Sequence, residues 1–167
     1  ESQANKALVD AVSDMEGVAV FNLYELSQEI AFNVDEWSKI ISDASAVIYQ
    51  FPFYWMSAPS LLKKWQDEVF TFLSKTPAVA GKSLTVVTTT GSEYEAYRSG
   101  GRNRFTMDEL LRPYQVSAIH SGMSWQTPIV VYGMGTADAG KNIAEGANLY
   151  KQRVEMLIGS SNAGNNW

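Results

Sequence analysis

The sequence contains no cysteine and a single histidine, His120. The first absence excludes a disulfide framework, a thiolate nucleophile and any cysteine-ligated metal or iron–sulfur cluster. The second excludes a histidine-rich metal site. Clustered positive charge is scarce as well. Lys and Arg number 13 against 18 Asp and Glu, the net charge is -5, and Lys63-Lys64 is the only adjacent basic pair. Nucleic acid as the main partner is excluded on that ground, because phosphate neutralisation needs grouped cations. No apolar run approaches the roughly 18 residues of a membrane span and no secretory leader is visible, so a reducing cytoplasm is the expected setting. What is present is ordinary for a globular chain. Over 167 residues, 46% are hydrophobic and 19% charged, enough for one domain with a substantial core.

Helical and strand patterns alternate along the chain, which predicts an α/β fold built on a parallel sheet. Residues 2–15 place Ala4, Ala7, Leu8, Ala11, Val12 and Met15 at helical spacing, with Gly17 as the stop. Val18-Ala19-Val20-Phe21 reads as a short buried strand, followed by a loop over 24–33 and a helix over 34–44. Ala46-Val47-Ile48-Tyr49 is the next strand. Pro59 then suits a first helical turn, and Leu61, Leu62, Trp65, Val69, Phe72 and Leu73 form a broad apolar stripe behind it. The stripe predicts core or dimer packing. Leu84–Thr88 is a β-branched strand, residues 92–104 a polar loop, 106–116 a helix, Pro128–Tyr132 the last strand and 138–158 the final helix. Residues 159–167 form an expected mobile tail beyond the single domain 1–158. A doubly wound sheet opens on its central strand, whereas this sequence opens on a helix. A first strand and its loop are therefore expected ahead of residue 1.

Three stretches fall where open α/β sheets bind ligands, beyond strand ends or at the first helix N-terminus. Glu1-Ser2-Gln3-Ala4-Asn5 offers free N–H groups and a positive dipole end to a phosphate, or else is a plain Ser cap. Pro52-Phe53-Tyr54-Trp55-Met56 puts three aromatics in a loop, a surface for a planar heterocycle or a core plug or dimer contact. Thr88-Thr89-Thr90-Gly91-Ser92-Glu93 lets backbone amides approach a ligand edge, or is simply a turn. Their convergence on one sheet edge favours the ligand in all three cases. His120, Asp67 and Glu68 read more plainly, the first as a structural hydrogen-bonding residue and the others as a solvated helix face.

The order Gln50-Phe51-Pro52-x-x-Trp55-x-x-x-Pro59-x-Leu61-Leu62-Lys63-x-Trp65 resembles the signature of the flavodoxin-like NAD(P)H:quinone oxidoreductases. Ser2-x-x-Asn5, the Thr-Thr-x-Gly turn and Ser121-Gly122-Met123-Ser124-Trp125 are similar to the same family, so the resemblance spans essentially the whole chain. The family includes DT-diaphorase, bacterial drug-activity modulators and ancillary subunits of glutathione-gated potassium efflux systems. The resemblance implies a doubly wound parallel sheet of five strands in the order 2-1-3-4-5, its first strand missing here. It implies a flavin at the carboxyl edge (FMN, with FAD as the alternative), NAD(P)H as co-substrate, a quinone as acceptor, and no metal. Ser2, Gln3 and Asn5 would hold the flavin phosphate. Pro52, Phe53, Tyr54 and Trp55 would line the ring with Met56 nearby. Thr88, Thr89, Thr90, Gly91 and Glu93 would meet its polar edge, and Tyr97 would reach ring or substrate. Thr90 stands where the family often has Gly, which reduces backbone freedom there. The family's active sites lie between two subunits, which implies a homodimer. Its chemistry is a two-electron exchange in which flavin N5 takes a hydride from NAD(P)H and a quinone then takes it from the same place. Three rivals stand beside it: a regulatory subunit of a membrane transporter, which shares these motifs; a one-electron flavodoxin, from which the aromatic loop sets the chain apart; and a truncated or degenerate member that no longer binds flavin.

Overall fold

The computed structural model describes residues 2–26 and 31–163. Glu1, residues 27–30 of the expected loop and residues 164–167 of the expected tail lie outside the described residues. Helix α1 (Gln3–Asp10) is capped by Ser2, whose hydroxyl oxygen accepts from the Asn5 backbone N–H at 3.3 Å. It buries Ala4 and Leu8. The expected helix to Met15 stops early. Residues 11–15 pass into tighter turns, with Val12 N–H donating to the Val9 carbonyl at 3.0 Å, and Gly17 leaves at φ 82°.

The expected strand at Val18–Phe21 does not form; the segment has no ladder, and Val20 and Phe21 are exposed. A strand needs a neighbour for its N–H and C=O groups, and none lies beside this segment among the described residues. Phe21 instead sets its ring edge against Trp37, 5.4 Å between centroids. A one-turn helix α2 (Leu23–Leu26) follows, then α3 (Val34–Asp43), whose cap Asn33 accepts from the N–H groups of Asp35 and Glu36.

The sheet is parallel. Strand β1 (Ala46–Pro52) pairs along its whole length with β2 (Ser83–Thr89), from Ala46 opposite Ser83 to Pro52 opposite Thr89. On the other side of β2 lie β3 (Ser124–Trp125) at its start and β4 (Ile129–Val131) at its end. These two are one strand position interrupted at Gln126–Pro128, where Pro128 has no N–H to donate. The chain therefore fills three adjacent positions in chain order, the last three of the expected 2-1-3-4-5. The other two hold no strand among the described residues.

Helices cover both faces, as a doubly wound sheet requires. On one face Trp37, Ile41, Leu62, Trp65, Val69, Phe70 and Tyr114 pack on Tyr49, Phe51, Leu84 and Val86. On the other, Leu8, Val12, Tyr150 and Val154 pack on Val87, Ile129 and Val131. The helix after Pro59 runs as α4 (Ser60–Trp65), a π-helical turn (Gln66–Phe70) and α5 (Thr71–Leu73). The π turn corrects the predicted stripe. The wider turn advances the inward register by one residue, so Phe70 is 6% exposed while Phe72 faces out at 60%. The expected helix over 106–116 is two, α6 (Met107–Leu110) and α7 (Arg112–His120), because Pro113 cannot donate to the preceding turn. A capping box joins Thr106 and Glu109, and the hydrogen bonds from Thr106 hold the Glu109 carboxyl below its usual range. Helix α8 (Ala139–Ala163) continues past the boundary expected at 158.

Candidate functional site

The carboxyl ends of β1, β2 and β4 meet the start of α1, and hydrogen bonds between side chains and backbone tie them together. Asn5 is the knot. Its side-chain amide donates to the Thr89 hydroxyl at 2.8 Å and to the Ser2 hydroxyl at 3.3 Å, while its backbone carbonyl accepts from the Gln50 amide at 2.8 Å. The Phe53 N–H continues the β1–β2 ladder to the Thr89 carbonyl at 2.9 Å, and Thr90 N–H donates to Val131 at 2.9 Å. Helix start, aromatic loop and hydroxyl turn are thereby held at one edge.

Within that edge the residues singled out from the sequence divide into outward and inward groups. Ser2 is half-buried and Gln3 exposed, at the end of α1 where the first N–H groups have no intrahelical partner. Asn5 is committed to Thr89 and Ser2, so it braces the site. Pro52 is half-buried at the strand end, and Phe53 is buried with its ring edge-on to Tyr97 at 6.2 Å. Tyr54 and Ser57 exchange two backbone hydrogen bonds of 2.9 Å across a two-residue turn. Its central residues, Trp55 and Met56, lie at φ 45° and 61°. Such a turn is normally built from Gly or Asn. A tryptophan held there is strained by roughly 1 kcal/mol, a cost that gathers at functional sites. Its side chain is 98% exposed, a full indole face open to solvent.

The hydroxyl turn is mostly structural. Thr88 has no exposed surface, and its hydroxyl donates to the Phe51 carbonyl at 2.7 Å. Thr89 receives Asn5, and the Thr90 hydroxyl donates to the Ser92 carbonyl at 2.8 Å. Gly91 is exposed, and neither its N–H nor that of Trp55 meets an acceptor among the described residues. Glu93 is exposed, 3.9 Å from Arg102. Tyr97 is buried between Phe53 and Tyr132, so it backs the site as a wall.

Residues that sequence reasoning left out of the site now join it. Gln50 clamps Asn5; the signal was a lone amide in the otherwise apolar run Ala46–Phe51. Tyr132 leaves β4 beside Tyr94, ring centroids 5.3 Å apart, and burial pushes its phenol up to about 12. A groove of about 650 Å³ opens beside this wall, with Tyr94, Tyr97, Arg98 and Tyr132 on one side and Leu149 and Arg153 on α8. His120 lies at the opposite end of the sheet, exposed near Gly122, whose carbonyl accepts from Gly81 ahead of β2. Among the described residues no group of three acidic, His or Cys side chains is placed to hold a metal, and no helix is long and apolar enough to cross a membrane.

This arrangement defines a flavodoxin-like domain whose helix start, aromatic loop and hydroxyl turn share one sheet edge, and comparison with known proteins gives the family. Residues 1–154 match the Flavodoxin_2 model, described as a flavodoxin-like fold, and the chain belongs to that family. It is 35% identical over 159 residues to general stress protein 14 of Bacillus subtilis, covering 93% of this chain and 90% of that one. It is 34% identical to YdeQ of the same organism, named an uncharacterized NAD(P)H oxidoreductase (93% and 81% covered). It is also 34% identical to the glutathione-regulated potassium-efflux ancillary protein KefG of Pectobacterium atrosepticum (79% and 74%). Among solved structures, one described as a thermophilic tryptophan halogenase from Streptomycin violaceusniger superposes with TM-score 0.85 at 36% identity, covering 92% and 91%. General stress protein 14 of Treponema denticola in complex with FMN superposes with TM-score 0.84 at 27% identity (93% and 91%). An NADPH-quinone reductase from P. pentosaceus gives 0.74 at 25% identity (90% and 90%).

Proposed function

We propose that this protein is a flavin-dependent NAD(P)H:quinone oxidoreductase with FMN as its cofactor and FAD as the alternative. The observation that carries the reading is the Asn5–Thr89–Gln50 tie, which assembles a helix N-terminus, an exposed indole and two N–H groups without an acceptor among the described residues at one edge. The residues suit the group. The start of α1 and the Ser2 hydroxyl take a phosphate, the Trp55 face takes a fused aromatic ring, and the N–H groups of Gly91 and Trp55 take its polar edge. Relatives named for NAD(P)H oxidoreduction and a similar structure solved with FMN support the same assignment.

When bound, the flavin supplies reversible two-electron hydride transfer, and the protein's part is position and electrostatics. Ser2 and the α1 dipole would anchor the anionic end, and the Trp55 indole would pack on the ring. The Gly91 N–H would donate to its polar edge, pre-positioned because the Gly91 carbonyl accepts from the Gly135 N–H at 2.9 Å. Phe53, Tyr97 and Tyr132 exclude water from one side without adding charge. The exposure of Tyr54, Trp55 and Met56 suits a homodimer in which the partner subunit closes the site. The test is steady-state kinetics of the FMN-loaded protein with NADPH or NADH and menadione. Parallel double-reciprocal lines are expected, and failure to consume either nucleotide contradicts the reading. The similarity to KefG supports a second reading, an ancillary subunit that binds a potassium-efflux transporter. Co-purification with the transporter in the absence of menadione turnover would favour it.

A further inference from the structure

We propose that the loop from Arg98 to Arg104 is a phosphate-monoester site that selects NADPH over NADH by binding the 2′-phosphate of the adenosine ribose. The inference rests on the oxidoreductase reading above and names the reductant that site uses. Three of the chain's 13 basic residues, Arg98, Arg102 and Arg104, fall within this loop. That density is unusual for a chain of net charge -5.

The loop is folded tightly enough to present them. Gly101 N–H donates to the Arg98 carbonyl at 2.8 Å, Arg104 N–H to Gly101 at 2.9 Å, and Asn103 N–H to Ala96 at 3.1 Å. A Cβ on Gly101 would fall 2.2 Å from the Glu95 carbonyl oxygen, so only glycine permits this approach. Arg104 is held at φ 64°, an uncommon conformation for a side chain of that size. Gly100, Gly101, Arg102 and Arg104 line a recess of about 440 Å³. Arg102 is braced from behind, its guanidinium donating to the Ser92 hydroxyl at 2.5 Å and standing 3.9 Å from the Glu93 carboxylate. Arg98 lies over the Tyr94 ring at 5.3 Å and lines the larger aromatic groove on the same loop.

The two spaces together match the two ends of a phosphorylated nucleoside. Tyr94 and Tyr132 stand nearly perpendicular, at 79°, so a planar base would stack on one ring, and with Arg98 already over Tyr94 that ring is Tyr132. The guanidinium forks of Arg102 and Arg104 suit a dianionic oxygen cluster better than a ribose hydroxyl. Among the described residues, Glu93 is the carboxylate that pairs with an arginine of the recess, 3.9 Å from Arg102. The loop hangs from the carboxyl end of β2, and Tyr97 joins it to Phe53 of the aromatic loop. A nucleotide bound here therefore lies beside the flavin edge.

Two measurements on the full chain test this. In the FMN-loaded protein, kcat/KM is expected to favour NADPH over NADH by up to about fivefold, a solvent-exposed ion-pair preference. Arg104→Gln should collapse that ratio, and Arg104→Lys should restore part of it. Independently of turnover, calorimetric titration with adenosine 2′-monophosphate should show binding that adenosine lacks and that Arg102→Gln/Arg104→Gln abolishes, with circular dichroism confirming the fold. Equal use of both nucleotides, an unchanged ratio in Arg104→Gln, or binding that adenosine or inorganic phosphate matches would overturn the proposal. Should neither nucleotide be oxidised, the oxidoreductase reading fails, and the titration still decides this one. Arginine-dependent binding of the 2′-phosphate supports it, and absent or arginine-independent binding refutes it.

Discussion

Replacing Trp55 separates a ligand surface from a packing residue, because the two roles move different quantities. The side chain is 98% exposed, so Trp55→Ala removes almost no buried apolar area. Folding stability should stay within about 0.5 kcal/mol of the parent, as for surface substitutions generally. Trp55→Gly should raise it by about 1 kcal/mol, since glycine occupies the φ 45° turn without strain. Loss of the indole face removes one stacking partner of a fused ring, about 1–3 kcal/mol, which is roughly a 5- to 150-fold rise in the FMN Kd. Urea denaturation of the apoprotein reads the first quantity and quenching of free FMN fluorescence reads the second. An FMN Kd unchanged in both variants would refute the placement of the ring on the aromatic loop. A large fall in apoprotein stability would show that Trp55 packs against something the chain itself provides.

Gln50→Leu removes the donor to the Asn5 carbonyl, and should lower stability by about 1 kcal/mol in urea while weakening FMN through misplacement of the α1 start. Lys82→Met tests the far end of the sheet. Its ammonium donates to the carbonyls of Ile41 and Ser42 at 2.8 Å and to that of Ala44, closing the end of α3. A loss of about 1–3 kcal/mol with FMN affinity intact is expected, and a silent substitution would dismiss the cap. Burial pushes Tyr132 and Tyr150 up to about 12 and Tyr49 further in the same direction. The protonated phenols are favoured by folding, so this stability is complete below the unfolded value of about 10 and is lost as pH rises from there through about 12. Urea midpoints that stay level across that window would contradict the burial of these three rings.

The α/β class, the three stretches and their common edge were legible because alternation, strand ends and a Ser cap are local signals. The rest depends on long-range contacts. The stripe Leu61–Leu73 predicted Phe72 inward, and a π turn no periodicity announces put Phe70 there instead. Val18–Phe21 has strand-like residues, yet a ladder depends on a neighbour and not on propensity. In the site itself, the sequence offered Thr88, Thr89 and Thr90 as equals. Which hydroxyl turns to a strand carbonyl, which to Asn5 and which to Ser92 is set by strand pairing. Gln50 is one letter of a motif in the sequence, and its amide donating to the Asn5 carbonyl is a long-range contact that no local pattern carries.

The central claim is that helix start, aromatic loop and hydroxyl turn form a single FMN site. Titration of the purified apoprotein with FMN, followed by flavin fluorescence and visible absorbance, addresses it directly. Saturable binding of one FMN per chain, weakened by Asn5→Ala and by Trp55→Ala, is the predicted result. A protein that stays colourless at saturating FMN, or binding indifferent to both substitutions, would contradict it.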